Sequence, residues 1–282
     1  MSPSLSKSLN PYWLLVAPLL VAVLALYLGP ILDILRLSFT DPQPGFSNYA
    51  KLYESDSLVR ILWTTFRVCA LTTLFTVLLG YVVAYTIAHV VPSERKFMLT
   101  VILLSFWISV LVRTFAWIML LGHNGVLNTW LMALGLISDP LPLMRNETGV
   151  LIGMVQYMIP YAVLPLLANM QGLDTRVVNA SRSLGATGWQ TFYRVYLPMT
   201  RPGIVAAAVL VFIMSLGFYV TPSVLGGGKV TMIAEYIYVQ VLVTPRWGIA
   251  AMLATVMLAG VCALLFILNR FMPLARAMGG GR

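Results

Sequence analysis

Six runs of about 20 or more mostly apolar residues, at about 12–35, 66–91, 97–121, 148–170, 202–225 and 247–269, occupy half of this 282-residue chain. A helix needs roughly 20 apolar residues to cross about 30 Å of hydrocarbon. The runs therefore predict an all-α integral membrane protein, with six transmembrane helices in one domain over residues 1–282. Charged residues make up 10% of the chain, against about 25% in a soluble domain, so soluble-enzyme classes are set aside at the outset. The first run ends at Leu28-Gly29-Pro30-Ile31 without a small-x-small cleavage site, so a retained span is expected rather than a cleaved signal.

The chain carries 18 Lys+Arg against 9 Asp+Glu, a net charge of +9. Such an excess on a soluble domain would suggest nucleic acid; between spans it reads as topology, and no nucleic-acid partner is expected. With the N-terminus in the cytoplasm, the inside segments hold ten basic residues (Lys7, Arg95, Lys96, Arg176, Arg182, Arg194, Arg201, Arg270, Arg276, Arg282). The outside segments hold five: Lys51, Arg60, Arg145, Lys229 and Arg246. That bias puts both termini and the loop at 172–201 in the cytoplasm. Long outer loops are expected at about 36–65, 122–147 and 226–246. Cys69 and Cys262 lie in apolar runs and indicate neither a disulfide framework nor a metal cluster, and no metal is expected. His89 and His123 stand at the ends of spans.

The 172–201 loop specifies two short helices. Asp174 suits an N-cap and Gly185 a left-handed stop. Between them Val177, Ala180, Ser181 and Leu184 share one helical face. Thr187 with Gln190 forms a capping box for the second helix, along which Trp189, Phe192 and Val195 or Tyr196 repeat at helical spacing. Pro198 is expected to end that helix, and Pro202 suits the first turn of span five. A small-residue face on a short helix lets a partner groove approach closely.

Asn179, Ala180 and Ser181, then Gly185 after three intervening residues, then Val195, Leu197 and Pro198 after nine more, stand at the spacing of a known loop. It resembles the E-A-A…G…I-x-L-P loop of permease subunits of ATP-binding-cassette importers. Asn179 replaces that family's usual Glu and Ser181 its second Ala, so an ion pair from residue 179 to a partner is unavailable. Three further segments narrow the resemblance to the spermidine/putrescine-type branch of the polyamine/opine family. They are Arg113-Thr114-Phe115-Ala116-Trp117 leading to Gly122 and Gly125-Val126-Leu127-Asn128, then Pro160-Tyr161-Ala162-Val163-Leu164-Pro165, and Phe218-Tyr219-Val220-Thr221-Pro222 before Gly226-Gly227-Gly228. The resemblance covers roughly residues 60–270.

What it implies is a type I importer permease fold with cytoplasmic coupling helices. Asn179, Ala180, Ser181, Leu184, Gly185, Val195, Leu197 and Pro198 would meet the ATPase. The implied partners are two ATPase copies, a second and related permease subunit, an external substrate-binding protein and the bilayer. The sequence has no G-x-x-x-x-G-K-[ST], so ATP and Mg belong to the separate ATPase, and this chain binds no cofactor and catalyses no reaction. The implied activity is ATP-driven alternating access for a small solute, a polyamine in the first instance, with an opine, phosphonate or ferric iron as alternatives within the branch.

Arg113, Trp117, Tyr157, Tyr219 and Glu235 are the candidate pathway residues. Arg113 lies well inside span three, where an unpaired charge costs at least about 2.5 kcal/mol. Two readings stand for it: an anion contact, or a structural pair or carbonyl contact with a neighbouring subunit. Glu235, beside Tyr236 and Tyr238, reads either as a cation-attracting mouth or as part of an aromatic belt. The aromatics read equally as packing. Asp33 and Arg36, at i and i+3, suit an ion pair. Pro160, Pro165 and Pro222 interrupt spans, as gating kinks or as tolerated structure. An ion-driven secondary transporter would need internal repeats and buried ionisable groups, and a membrane enzyme clustered His, Asp, Glu or Cys; neither pattern is visible.

Overall fold

The computed structural model describes residues 12–271; Lys7, Arg276 and Arg282, which count in the charge bias, lie outside them. Among the described residues there are helices and turns and no strand. In chain order the helices are α1 (Tyr12–Thr40), α2 (Ser47–Glu54), α3 (Asp56–His89), α4 (Pro92–Trp107), α5 (Val110–Leu121), α6 (Val126–Ala133) and α7 (Glu147–Gln171). After them come α8 (Thr175–Ser183), α9 (Gly188–Thr191), α10 (Leu197–Leu216), α11 (Val220–Gly226), α12 (Ile233–Tyr238) and α13 (Trp247–Phe271). Six stretches are long and apolar enough to cross a membrane: Val16–Thr40, Asp56–His89, Val110–Ala133, Glu147–Gln171, Gly188–Leu216 and Trp247–Leu268.

The core is the trio α3, α7 and α10. Close approach is built in by small residues: a Cβ on Gly80 of α3 would stand 2.9 Å from the Ala162 Cβ of α7. Ala84, Ile87, Met158, Ala162, Leu166, Ala207 and Val211 fill the half nearer the 172–201 loop. Val68, Cys69, Val150, Met154 and Leu225 fill the opposite half. We call these the loop end and the far end. Outside the trio α13 packs on α1, α2 and α12. The Asp41 carboxylate accepts the Gly248 amide (2.6 Å), and Asn48 donates to the Asp41 carbonyl (2.6 Å), tying the end of α1 to the start of α13. Otherwise α1 presents Leu19, Leu20, Val21, Leu24, Leu26 and Tyr27 outward. The isolated chain thus leaves a large apolar surface for lipid or another subunit.

Four expectations are corrected. The third run, 97–121, is not one helix: Ile108 and Ser109 are extended and split it into α4 and α5. α4 starts at the loop end, where Arg95 donates to the Ile87 and Ala88 carbonyls of α3. α5 lies against α11 and α7 towards the far end, so the break falls between the two ends. The fifth run, 202–225, stops at Leu216, and after Gly217–Tyr219 the chain restarts as α11. Pro198 does not end the loop's second helix. α9 passes through a wide turn at Phe192–Tyr196, where the Leu197 amide reaches back to the Phe192 carbonyl, and continues into α10 with Pro198 and Pro202 inside it. A proline has no N–H to give, and widening the preceding turn relieves its clash with the helix. Finally, Asp33 and Arg36 do not pair; the one ion pair among the described residues joins Arg67 of α3 to Glu147 in the first turn of α7. The expected outer loops contain helices, α2 and the start of α3 in 36–65, α6 in 122–147 and α12 in 226–246, while 134–146 is turn and irregular chain.

Candidate functional site

The loop at 172–201 is built by the local chemistry its sequence carries. The Asp174 carboxylate accepts the Arg176 amide (2.9 Å) and caps α8. At the other end Gly185 takes φ +85°. Its amide reaches the Arg182 carbonyl (2.9 Å) and the Ala186 amide the Ser181 carbonyl (3.2 Å), the paired bonds of a Schellman stop. Thr187 and Gln190 exchange both capping-box bonds, Thr187 amide to Gln190 (3.0 Å) and Gln190 amide to Thr187 (3.3 Å).

The eight expected coupling residues divide into two groups. Asn179, Ala180, Leu184 and Gly185 are exposed; Ser181, Val195, Leu197 and Pro198 are half-buried against the bundle. Ser181 donates to the buried Thr191 hydroxyl (3.1 Å), which locks α8 to α9. Leu184 is 89% exposed and Trp189 71% exposed, with Val177 and Tyr193 open beside them. The arm is anchored to α3 by an aromatic cluster of Tyr85, His89, Phe192 and Tyr196, with ring centroids 4.2–6.1 Å apart. A Tyr81–Thr200 hydrogen bond (3.0 Å) adds to it. A groove of about 450 Å³, lined by Tyr81, Tyr85, Arg182, Trp189 and Phe192, separates the rest of α8 and α9 from α3.

A second site lies where the two broken helices meet α7. Arg113, in the first turn of α5, turns back across the break and donates to the Ser105 carbonyl of α4 and, at 3.4 Å, to the Ile108 carbonyl. Its guanidinium stands 4.9 Å over the ring of Tyr157. Tyr157 is held between Tyr161 (6.1 Å) and Phe218 (4.5 Å), the latter from the break after α10, and Tyr161 is met edge-on by Phe106 (5.1 Å). Thr114 and Thr221, just past the two breaks, face each other at 3.4 Å. Within the chain, then, the Arg113 contacts are to backbone carbonyls and to an aromatic face.

Of the other pathway candidates, Tyr219 stacks on Tyr238 at 5.3 Å. One turn away Glu235 approaches Ser223 and the Met232 backbone, and burial holds its carboxyl above the ordinary 4.5, these two contacts offsetting part of the rise. One Glu235 oxygen is buried without a hydrogen-bond partner. Trp117 does not join either group; it packs on the far-end core near Gly153. The structure therefore brings Arg113 to Tyr157, and Tyr219 to Tyr238, three residues along α12 from Glu235. It adds Phe106, Tyr161, Phe218, Tyr238 and the Ser105 and Ile108 carbonyls. Phe218 stood inside a quoted motif and Tyr238 beside Glu235, whereas backbone carbonyls leave no mark in a sequence.

Six apolar stretches, broken helices beside two of them and a capped loop at one end, with no cluster of catalytic side chains among the described residues, have the form of the transmembrane subunit of a transporter. The chain belongs to the family described as binding-protein-dependent transport system inner membrane components, which it matches over residues 76–273. It is a multi-pass inner-membrane permease subunit of an ATP-binding-cassette importer, and not an enzyme. It is 31% identical to the spermidine/putrescine transport system permease protein PotB of Haemophilus influenzae, over 79% of this chain and 78% of that one. It is 32% identical to the PotB of Escherichia coli K12, over 72% and 74%, and 28% identical to the sulfate transport system permease protein CysW of Synechococcus elongatus, over 79% and 74%. In fold it is similar to a crystal structure of a bacterial alginate transporter in complex with an alginate pentasaccharide-bound periplasmic protein (TM-score 0.77, 21% identity, 99% of each chain).

Proposed function

We propose that this chain is one permease subunit of a polyamine importer, carrying spermidine or putrescine inward by alternating access. What supports the polyamine assignment is its 31–32% identity to spermidine/putrescine permeases over most of both chains. The mid-bundle site is in keeping with it: carbonyl oxygens and an aromatic face attract cations, and Arg113 is already turned towards them. The fold alone does not choose the cargo, since relatives named for sulfate and alginate share it.

The loop end is cytoplasmic, with both termini on that side, and the loop docks on an ATPase that holds the ATP and Mg. This chain binds no cofactor of its own. A small exposed face around Ala180 and Gly185, flanked by bare Leu184 and Trp189, supports docking into a groove. With Asn179 in place of a carboxylate, the contact there is a neutral hydrogen bond. The working assembly is this chain, a second related permease packed against its open apolar faces, two ATPase copies and an external binding protein. Arg113, Tyr157, Tyr219 and Glu235 line the route, while Trp117 supports it from the core.

The test is ATPase stimulation in the reconstituted assembly by binding protein loaded with spermidine, putrescine, an opine or a phosphonate. Stimulation by the polyamines alone is expected. Stimulation by an anion alone would overturn the polyamine assignment and leave the importer family standing.

A further inference from the structure

A helix interrupted inside a membrane leaves the last carbonyls of its first half without backbone partners, and these carry the negative end of the helix dipole. At the end of α4 the group that meets the carbonyls of Ser105 and Ile108 is the Arg113 guanidinium. The ring of Tyr157 supplies a second attraction from the guanidinium's face. Phe218 and Tyr161 hold that ring in place. No carboxylate pairs with Arg113 among the described residues, whose one ion pair is Arg67–Glu147. The Ser105 hydroxyl oxygen is buried and unpartnered at the same point.

From this juxtaposition we propose that the α4–α5 break is a cation subsite of the transport route, and that Arg113 occupies it as a tethered stand-in which a substrate ammonium displaces. The proposal rests on the polyamine reading and gives it a location. An ammonium has three N–H donors, enough for the two carbonyls and the Ser105 hydroxyl, and it takes the same aromatic face as a guanidinium. Exchanging one cation for another keeps a positive charge on the two carbonyls, so neither is stranded in the swap. A carboxylate partner would have fixed Arg113 where it stands, and dipoles and a ring leave it exchangeable. While Arg113 is seated, the subsite is closed to small free cations. A polycation delivered at high local concentration, with a second ammonium to anchor elsewhere, is the kind of ligand that competes.

The test uses the assembled importer in lipid nanodiscs, without binding protein, and measures binding of methylguanidinium and of putrescine. Wild type is expected to bind both weakly. Arg113→Ala empties the subsite and should bind each at least tenfold more tightly, and Tyr157→Leu added to it should remove severalfold of that gain. Arg113→Lys, which restores a tethered ammonium, should return to the wild-type level. If Arg113→Ala does not assemble, Arg113→Met carries the same expectation, because it keeps the apolar stem and places no donor on the Ser105 and Ile108 carbonyls. Equal affinity in wild type and in the neutral variants, or a gain indifferent to Tyr157→Leu, overturns the proposal. Tight methylguanidinium binding by Arg113→Ala, in an importer that ignores polyamine-loaded binding protein, leaves the subsite standing and removes the polyamine reading.

Discussion

Gly185 separates two effects that usually arrive together, the cost of a backbone conformation and the bulk of a side chain. Its φ of +85° costs an ordinary L-residue roughly 1–2 kcal/mol, and nothing lies within 4 Å of a Cβ built there. In the free chain, therefore, Ala, Asn and Trp all fit sterically and differ only in backbone cost, with Asn the most tolerant of the left-handed region. A penalty of 1–2 kcal/mol shifts the capped loop against its frayed forms by at most about 5–30-fold. That factor is also the most by which it can weaken docking through population alone. Gly185→Asn should fall below that ceiling and Gly185→Ala at or under it. Gly185→Trp should exceed it by at least a further tenfold, because on the proposed docking its indole would stand where the ATPase groove closes over the small face. Uptake of labelled putrescine, together with co-purification of the ATPase, measures both terms. Wild-type uptake in Gly185→Trp at normal expression would refute docking at this face. Equal losses in Ala and Trp would reduce the effect to the helix stop.

Two further outcomes follow from contacts elsewhere. A Cβ on Gly248 would sit 2.1 Å from the Asp41 carbonyl oxygen, so Gly248→Ala should part the end of α1 from α13 at a cost of roughly 1–3 kcal/mol. This would be read as a lowered unfolding temperature and faster labelling of a cysteine at residue 45; an unchanged temperature would contradict the packing. Burial raises the Glu235 carboxyl above 4.5, so its contribution to stability is whole below pH 4.5 and lost as pH rises through the raised value. Glu235→Gln should therefore match wild type in acid and be the more stable protein at neutral pH. Parallel unfolding curves for the two proteins between pH 4 and 8 would show the carboxyl to be solvated.

What the sequence disclosed and what it withheld divide along a physical line. The caps of the 172–201 loop were legible because each is an exchange between residues two to five apart: Asp174 with Arg176, Thr187 with Gln190, Gly185 and Ala186 with the last turn of α8. The six spans were legible from hydropathy, but their continuity was not. Phe106-Trp107-Ile108-Ser109 and Gly217-Phe218-Tyr219 contain no proline and stay apolar through both breaks, so a window of mean hydropathy passes over them. Pro198 was misread in the opposite sense. Proline usually marks a boundary, yet one wide turn upstream lets the helix run on. Asp33 and Arg36 have pairing geometry in sequence but are exposed, where an ion pair gains about 0–1 kcal/mol and need not form.

That misreading of Pro198 matters mechanically. Gly188–Leu216 is one helical stretch of 29 residues, about 43 Å at 1.5 Å per residue. It runs from the exposed Trp189 to the break that holds Phe218. Two separate helices joined by a proline hinge would absorb a push at the loop within the hinge. A single rod transmits it, pivoting where Tyr81, Tyr85, Phe192 and Tyr196 hold it to α3. At the far tip Phe218 bears on Tyr157, and Tyr157 lies under Arg113. On the proposed docking, a rigid-body tilt of this rod displaces the ring that holds Arg113 over the α4 carbonyls, and the subsite changes hands without any contact between the ATPase and the cargo. The break after Leu216 is what makes this possible. Had α10 continued unbroken to residue 225, α11 and its contacts with α5 and α7 would have moved with the rod, and the far end would have been carried along instead of being left as the fixed wall against which the route opens.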